Sequence, residues 1–82
     1  MRQTYDETTL LTLRQAEQMK LDGNYQQAVE LLEKLLVENP DNIAALEETA
    51  DNELSMEHFD RAVAAAKRAV ALDKESYTGH YI

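Results

Sequence analysis

The sequence predicts an all-α fold, and three observations support this prediction. The composition is rich in Ala, Leu, Glu and Gln, and it includes two glycines and one proline, which favours helix along most of the chain. Apolar residues recur at helical spacing in successive segments. The segment 23–42 returns 34 residues later as the segment 57–76. Helix pairs repeated in tandem are therefore the predicted architecture.

The 34-residue period also predicts how the chain is organised. We expect one domain with a first repeat at about 9–42, a second at about 43–76 and a truncated third at 77–82. A natural solenoid end carries a complete polar-faced capping helix, so we expect this chain to be a fragment of a longer solenoid. The matched positions that define the period are Tyr25 with Phe59, Ala28 with Ala62, Val29 with Val63, Leu36 with Val70 and Asn39 with Asp73.

The first helix is predicted to begin at Thr4 and to end near Leu21. Thr4 and Glu7 have the spacing of a capping box, in which each side chain accepts a hydrogen bond from the backbone amide of the other residue. Gly23 can take the left-handed conformation that ends a helix, and Asn24 is a good N-cap for the next helix. A tight helical hairpin is therefore expected. The apolar residues of this first helix include Leu10, Leu13, Ala16, Met19 and Leu21.

The second helix is predicted at about Tyr25 to Glu38. It ends there because Pro40 disfavours helix at the residue before it and has no amide hydrogen to donate. Tyr25 and its counterpart Phe59 are expected in the framework core. The other residues predicted to face inward are Ala28, Val29, Leu32, Leu35 and Leu36.

A third helix is predicted at about Asn42 to Ser55, and a fourth at about Phe59 to Leu72. The inner positions of the fourth helix are small: Val63, Ala66, Ala69 and Val70. The third helix and its flanks hold seven acids and no lysine or arginine: Asp41, Glu47, Glu48, Asp51, Glu53, Glu57 and Asp60.

Charge and composition exclude several classes of function. Sixteen acidic and eight basic residues give a net charge of −8, which argues against binding to nucleic acid or to an anionic membrane surface. The chain has no cysteine for a disulfide or a thiolate metal site, and it shows neither a signal peptide nor an apolar run of about 20 residues. A cytoplasmic protein without a cofactor is expected.

Residues from about Thr9 to Ser76 resemble two tandem tetratricopeptide repeats. The second-helix half of that family's pattern is matched by Gly23, Tyr25, Ala28, Leu32, Leu35 and Pro40, and then by Phe59, Ala62, Ala66 and Ala69. The first-helix half departs from the pattern, since Met19 and Glu53 stand where the family buries a tyrosine. The resemblance implies antiparallel helix pairs stacked as a right-handed superhelix, with about four helices and a C-terminal partial helix.

The resemblance also implies a concave groove that holds an extended peptide or a partner helix. Family members that bind a C-terminal carboxylate use cations and amides where this chain has Leu13, Glu17 and Glu48, so a basic or apolar partner segment is expected instead. The positions matched to the groove are Leu10, Leu13, Glu17, Lys20 and Leu21 in the first repeat and Ala44, Glu47, Asp51, Leu54 and Ser55 in the second.

Two local questions stay open in the sequence. Glu53 would be costly as an unpaired buried carboxylate, so either the helix rotates to expose it or a base such as Arg61 reaches it. Glu47, Glu48 and Asp51 share a helix face that could bind a divalent metal, although a solvated acidic face is the favoured interpretation. Neither histidine of the chain has a nucleophile or carboxylate at catalytic spacing, so no enzyme is predicted.

The leading functional hypothesis is a non-catalytic module that holds a protein or peptide in a concave acidic groove. The alternative is a structural segment of a longer solenoid that acts in self-association. In that case an apolar surface at the unfinished C-terminal end would be covered by a second copy, giving a homodimer. The residues predicted for self-association are Val63, Ala66, Val70, Tyr77, Tyr81 and Ile82.

Overall fold

The computed structural model describes the backbone of residues 3–81 and the side chains of residues 3–74. In that range the chain forms α1 (Glu7–Leu21), α2 (Tyr25–Glu38), α3 (Ile43–Ser55) and α4 (Phe59–Tyr81). The described residues contain no strand, so the all-α prediction is confirmed. The helices form a block of 42 × 30 × 20 Å.

The first helix begins later than predicted, and a different residue caps it. Asp6 is the N-cap of α1, and its carboxylate accepts a hydrogen bond from the backbone amide of Thr9 at 2.7 Å. This bond holds the pKa of Asp6 below its usual range, because it favours the charged form. The predicted capping box of Thr4 and Glu7 is therefore wrong. A carboxylate at the N-cap is also favoured by the positive end of the helix dipole.

The hairpin turns inside the two repeats have the same backbone structure. After α1, the amide of Asn24 donates to the carbonyl of Met19 at 2.8 Å, and the amide of Gly23 donates to that of Lys20 at 2.9 Å. Thirty-four residues later, the amides of residues 58 and 57 bond the carbonyls of residues 53 and 54 at 2.8 and 2.9 Å. Both pairs form the Schellman motif that closes a helix end.

Glu57 adopts the left-handed conformation that glycine adopts in the first repeat. The backbone φ angle is 82° at Gly23 and 64° at Glu57. A non-glycine residue pays a steric cost there, because its Cβ crowds the following carbonyl oxygen. The turn is therefore imposed by the packing of the helices on either side of it and not by the local sequence alone.

The core lies where α3 packs between the other three helices. Ala45 of α3 lies in one buried cluster with Leu32 of α2 and Ala16 of α1. Ile43 and Leu46 form a second cluster with Ala69 of α4. The inward positions predicted for α2 are confirmed at Ala28, Val29, Leu32 and Leu35, all buried, and Leu36 packs partly against both clusters.

The N-terminal segment before α1 crosses to the start of α3. The backbone amide of Ile43 donates to the Gln3 side-chain oxygen at 2.9 Å, and the amide of Ala44 donates to the Tyr5 hydroxyl at 3.1 Å. Asn42, the N-cap of α3, accepts from the amide of Ala45 at 3.0 Å. The first three amides of α3 are thus bonded by side chains, two of which come from 39 and 40 residues away.

The structure corrects two further predictions, both in the second repeat. α4 continues to Tyr81 instead of ending near Leu72, because Lys74 replaces the proline of the first repeat and leaves the helical hydrogen bonds intact. Phe59 is 58% exposed, so it is not a core residue, whereas Tyr25 is half-buried. Tyr25 lies on a helix with packed neighbours before and after it in the chain, and the described part of the chain places α3 against α4.

Candidate functional site

An ion pair joins α1 to α3 in the predicted groove. The Lys20 ammonium donates a hydrogen bond to the Asp51 carboxylate, and this bond is the main reason that the pKa of Lys20 is raised. Glu17 and Glu48 also interact electrostatically with Lys20. The structure therefore brings together predicted groove residues that lie 31 positions apart in the chain.

We call the charged side chains around this ion pair the acidic cluster: Glu17, Lys20, Glu47, Glu48 and Asp51. The cluster carries four carboxylates against one ammonium. Burial raises the pKa of Glu48, while Lys20 opposes that rise and the neighbouring carboxylates add to it. One buried oxygen of Glu48, Oε2, has no hydrogen-bond partner among the residues that the structure describes. The cluster thus holds more negative charge than its lysine neutralises.

Glu48→Gln is expected to raise the free energy of unfolding near neutral pH by roughly 0.5 kcal/mol, a figure reduced for solvent screening. A carboxyl whose pKa is raised on folding loses stability as the pH rises through the folded-state pKa. The gain should therefore disappear as the pH falls and wild-type Glu48 becomes protonated. Urea unfolding near pH 7 and near pH 4 would measure both values.

The matched control for this prediction is Glu33→Gln, which removes the same charge from an exposed position on α2. We expect it to change the free energy of unfolding less than Glu48→Gln does. A Glu48→Gln variant that is less stable than wild type near neutral pH would show that the charged form of Glu48 is stabilised in the fold, contrary to the burial described above.

The other predicted groove residues differ in how they are placed. Leu10 and Leu21 are 42% and 72% exposed, whereas Leu13 packs partly against the first core cluster. Leu10 lines a surface depression formed by one face of α1. Ala44 is half-buried, and its amide bonds Tyr5 as described above. The exposed Ser55 donates its hydroxyl to the carbonyl of Asp51 at 3.1 Å.

A groove of about 490 Å³ runs between α3 and α4, on the far side of α3 from the ion pair with α1. The acidic residues Glu47, Glu48 and Asp51 line it together with apolar side chains. Leu54, which is 53% exposed, contributes to this groove. The remaining lining residues are Ala50, Ala62, Val63 and Ala66.

An exposed apolar stripe on α4 continues from this groove. We call it the α4 stripe, and it consists of Phe59, Val63, Ala66 and Val70. Val63 is 51% exposed and Val70 is 62% exposed. Lys67 and Lys74 border the stripe on the side away from α3. The predicted self-association residues Val63, Ala66 and Val70 thus form one surface, whereas the side chains of Tyr77 and Tyr81 and all of Ile82 lie outside the described residues.

Glu53 is buried, and two bases reach its carboxylate. Its side chain is 4% exposed, with His58 Nδ1 at 3.4 Å from one oxygen and Arg61 Nη1 at 3.8 Å from the other. The backbone amide of His58 also donates to the carbonyl of Glu53. Of the two alternatives that the sequence left open, the structure has the one in which Arg61 reaches the carboxylate, together with His58.

Other kinds of site were sought among the described residues. They contain no group of three His, Cys, Asp or Glu side chains that could hold a metal ion. In the same residues, no helix is both long enough and apolar enough to cross a membrane.

Sequence reasoning missed three residues near the candidate site. Gln3 and Tyr5 bond the start of α3, and no local pattern links them to a segment about 40 residues away. Glu48 is absent from the predicted groove set although it is the carboxylate with the raised pKa. Its position one helical turn from Asp51 was the available signal. The chain matches no protein-family model, no curated protein and no solved structure.

Proposed function

We propose that this chain is a non-catalytic protein-interaction module that holds a basic segment of a partner against the acidic cluster. We further propose that its two helix pairs are tetratricopeptide repeats stacked as a right-handed superhelix, with α1 and α3 on the concave face. The repeated Schellman turns and the packing of α3 on both α1 and α2 support this arrangement.

The observation that carries the proposal is the unsatisfied negative charge at Glu48. Its Oε2 is buried without a hydrogen-bond partner in the described part of the chain, beside Glu17 and Asp51. A lysine or arginine from a partner would supply the missing donor and a compensating charge, and such charge-assisted bonds are stronger than neutral ones. Apolar side chains at Ala50 and Leu54 lie next to these carboxylates, so the partner segment should combine basic and apolar residues.

A labelled peptide of alternating lysine and leucine tests this proposal by fluorescence anisotropy. The chain should bind it, and the affinity should fall as salt screens the charges. A peptide of alternating glutamate and leucine should not bind. Because the whole chain carries a net charge of −8, binding by itself does not locate the site.

Matched charge variants locate the binding site. Glu48→Gln combined with Asp51→Asn is expected to weaken peptide binding about tenfold or more, which corresponds to about 1.4 kcal/mol. Glu30→Gln combined with Glu33→Gln removes the same charge from the exposed face of α2 and should change affinity about twofold or less. Equal losses in the two double variants would mean that the peptide senses net charge only, and the proposed site would be rejected.

The exposed α4 stripe favours a second candidate function, self-association as a structural segment of a longer solenoid. Exposed, contiguous apolar surface of this kind marks interaction sites. Replacing Glu47 and Asp51 separates the two functions. Peptide capture should be lost under the first, and assembly should persist under the second.

A further inference from the structure

The two repeats differ in whether their second helix is covered. Leu32 of α2 is fully buried and lies in one core cluster with Ala45 of α3. Its counterpart 34 residues later, Ala66 of α4, is exposed, and so is the neighbouring Val63. Val29, the counterpart of Val63, is 3% exposed. The structure thus contains both a covered and an uncovered version of the same helix face.

The helix that covers α2 has a counterpart with a free face of its own. Thirty-four residues before Ala45, which is fully buried, stands Leu11 of α1, which is 57% exposed. Gln15 and Gln18 flank Leu11 on this helix and are also exposed. Each copy of the chain therefore has an open acceptor face on α4 and an open donor face on α1.

The side-chain volumes of these two faces are complementary. In the covered pair a leucine of α2, Leu32, meets an alanine of α3, Ala45. If α1 of another copy covered α4 in the same way, an alanine of α4, Ala66, would meet a leucine of α1, Leu11. The summed volume of the contact is conserved, which is the type of exchange that packed cores tolerate best.

The charges of the two faces are complementary as well. Within the chain, Glu48 of α3 lies near Glu17 of α1. In the corresponding contact between copies, the 34-residue offset places Arg14 where Glu48 stands and Asp51 where Glu17 stands. A carboxylate facing a carboxylate is thus replaced by a guanidinium facing a carboxylate. Such an exchange favours the contact between copies.

We propose that copies of this chain stack head to tail, with α1 of one copy covering α4 of the next and lying in the groove between α3 and α4. This inference deepens the second candidate function and does not rest on peptide binding. The contact is heterologous, because the two surfaces differ, so each added copy presents a new open face. Assembly should therefore continue beyond a dimer as concentration rises.

Two blocked variants of the full chain test this arrangement by light scattering and sedimentation velocity over a concentration series. Leu11→Asp blocks the donor face, and Val63→Asp blocks the acceptor face. Each variant alone should associate at least about tenfold more weakly than wild type. An equimolar mixture should form a one-to-one complex and grow no further, since each partner then has one working face.

Controls keep the result tied to these faces. Val37→Asp places the same charge at an 82% exposed valine on α2 and should assemble like wild type. The replaced Leu11 and Val63 are more than half exposed, so circular dichroism should show intact helix. Arg14→Glu, at an exposed position, is a second donor-face variant and should also weaken assembly about tenfold.

Three outcomes would overturn the stacking arrangement. If Leu11→Asp alone still dimerises as wild type does, the α4 stripes pair with each other and self-association stands without stacking. If wild type stays monomeric across the series, self-association and stacking both fail, while the peptide result is unaffected. If Val37→Asp dissociates the assembly as strongly, general repulsion is responsible and the stacked interface is rejected.

Discussion

Leu32→Ala is expected to lower the free energy of unfolding by about 3–5 kcal/mol. Leu32 is fully buried in the cluster that joins α1, α2 and α3, so its removal leaves a cavity at the centre of the first repeat. A domain of 82 residues has a total stability of roughly 4–12 kcal/mol. The variant should therefore be largely unfolded at physiological temperature or melt far below wild type.

Leu21→Ala is the matched control for this prediction. Leu21 is 72% exposed, and the same truncation there should change stability by about 0.5 kcal/mol or less. Urea unfolding followed by far-ultraviolet circular dichroism would measure both variants. Similar small losses in the two would mean that Leu32 is not packed between the three helices.

The second large effect is expected at the buried carboxylate of Glu53. Replacing both His58 and Arg61 by alanine should destabilise the chain by roughly 2 kcal/mol, because a buried carboxylate then loses the bases that neutralise it. Loss of a partner from a fully buried ion pair costs about 3–5 kcal/mol, and the smaller figure reflects the 42% and 72% exposure of these two bases.

A mutant cycle separates this charge effect from the other consequences of replacing His58 and Arg61. In a Glu53→Gln background the same two replacements should cost much less, since no charge is left buried. The difference between the two backgrounds, measured by urea unfolding near neutral pH, is the interaction energy. An equal cost in both backgrounds would mean that the two bases stabilise the turn or the start of α4 and not the carboxylate.

Local patterns in the sequence were sufficient to predict the helices and most of the inner face of α2. The bounds of α2, Tyr25–Glu38, are those predicted, because a hairpin turn at Gly23 and the proline at Pro40 act within a few residues of the helix ends. The start of α1 and the end of α4 were predicted wrongly. At both places two local signals compete, and the sequence does not show which one wins.

The candidate site could be predicted only in part. The acidic face of α3 and the groove positions Lys20 and Asp51 follow from residue type and the 34-residue period. Their ion pair depends on how closely α1 approaches α3, and the raised pKa of Glu48 depends on how much water that approach removes. The contacts of Gln3 and Tyr5 with α3 likewise depend on the path of the N-terminal segment.

The sequence by itself determined the all-α fold, the period and the positions of the hairpin turns, because hydrogen bonding and periodicity act over one or two helical turns. Only the tertiary structure decided which apolar and charged residues are covered. Glu53 became a neutralised core residue and Phe59 a surface residue, although their repeat positions suggested otherwise. Burial depends on neighbouring helices supplied by distant parts of the chain, and the local pattern does not record how many neighbours each helix has.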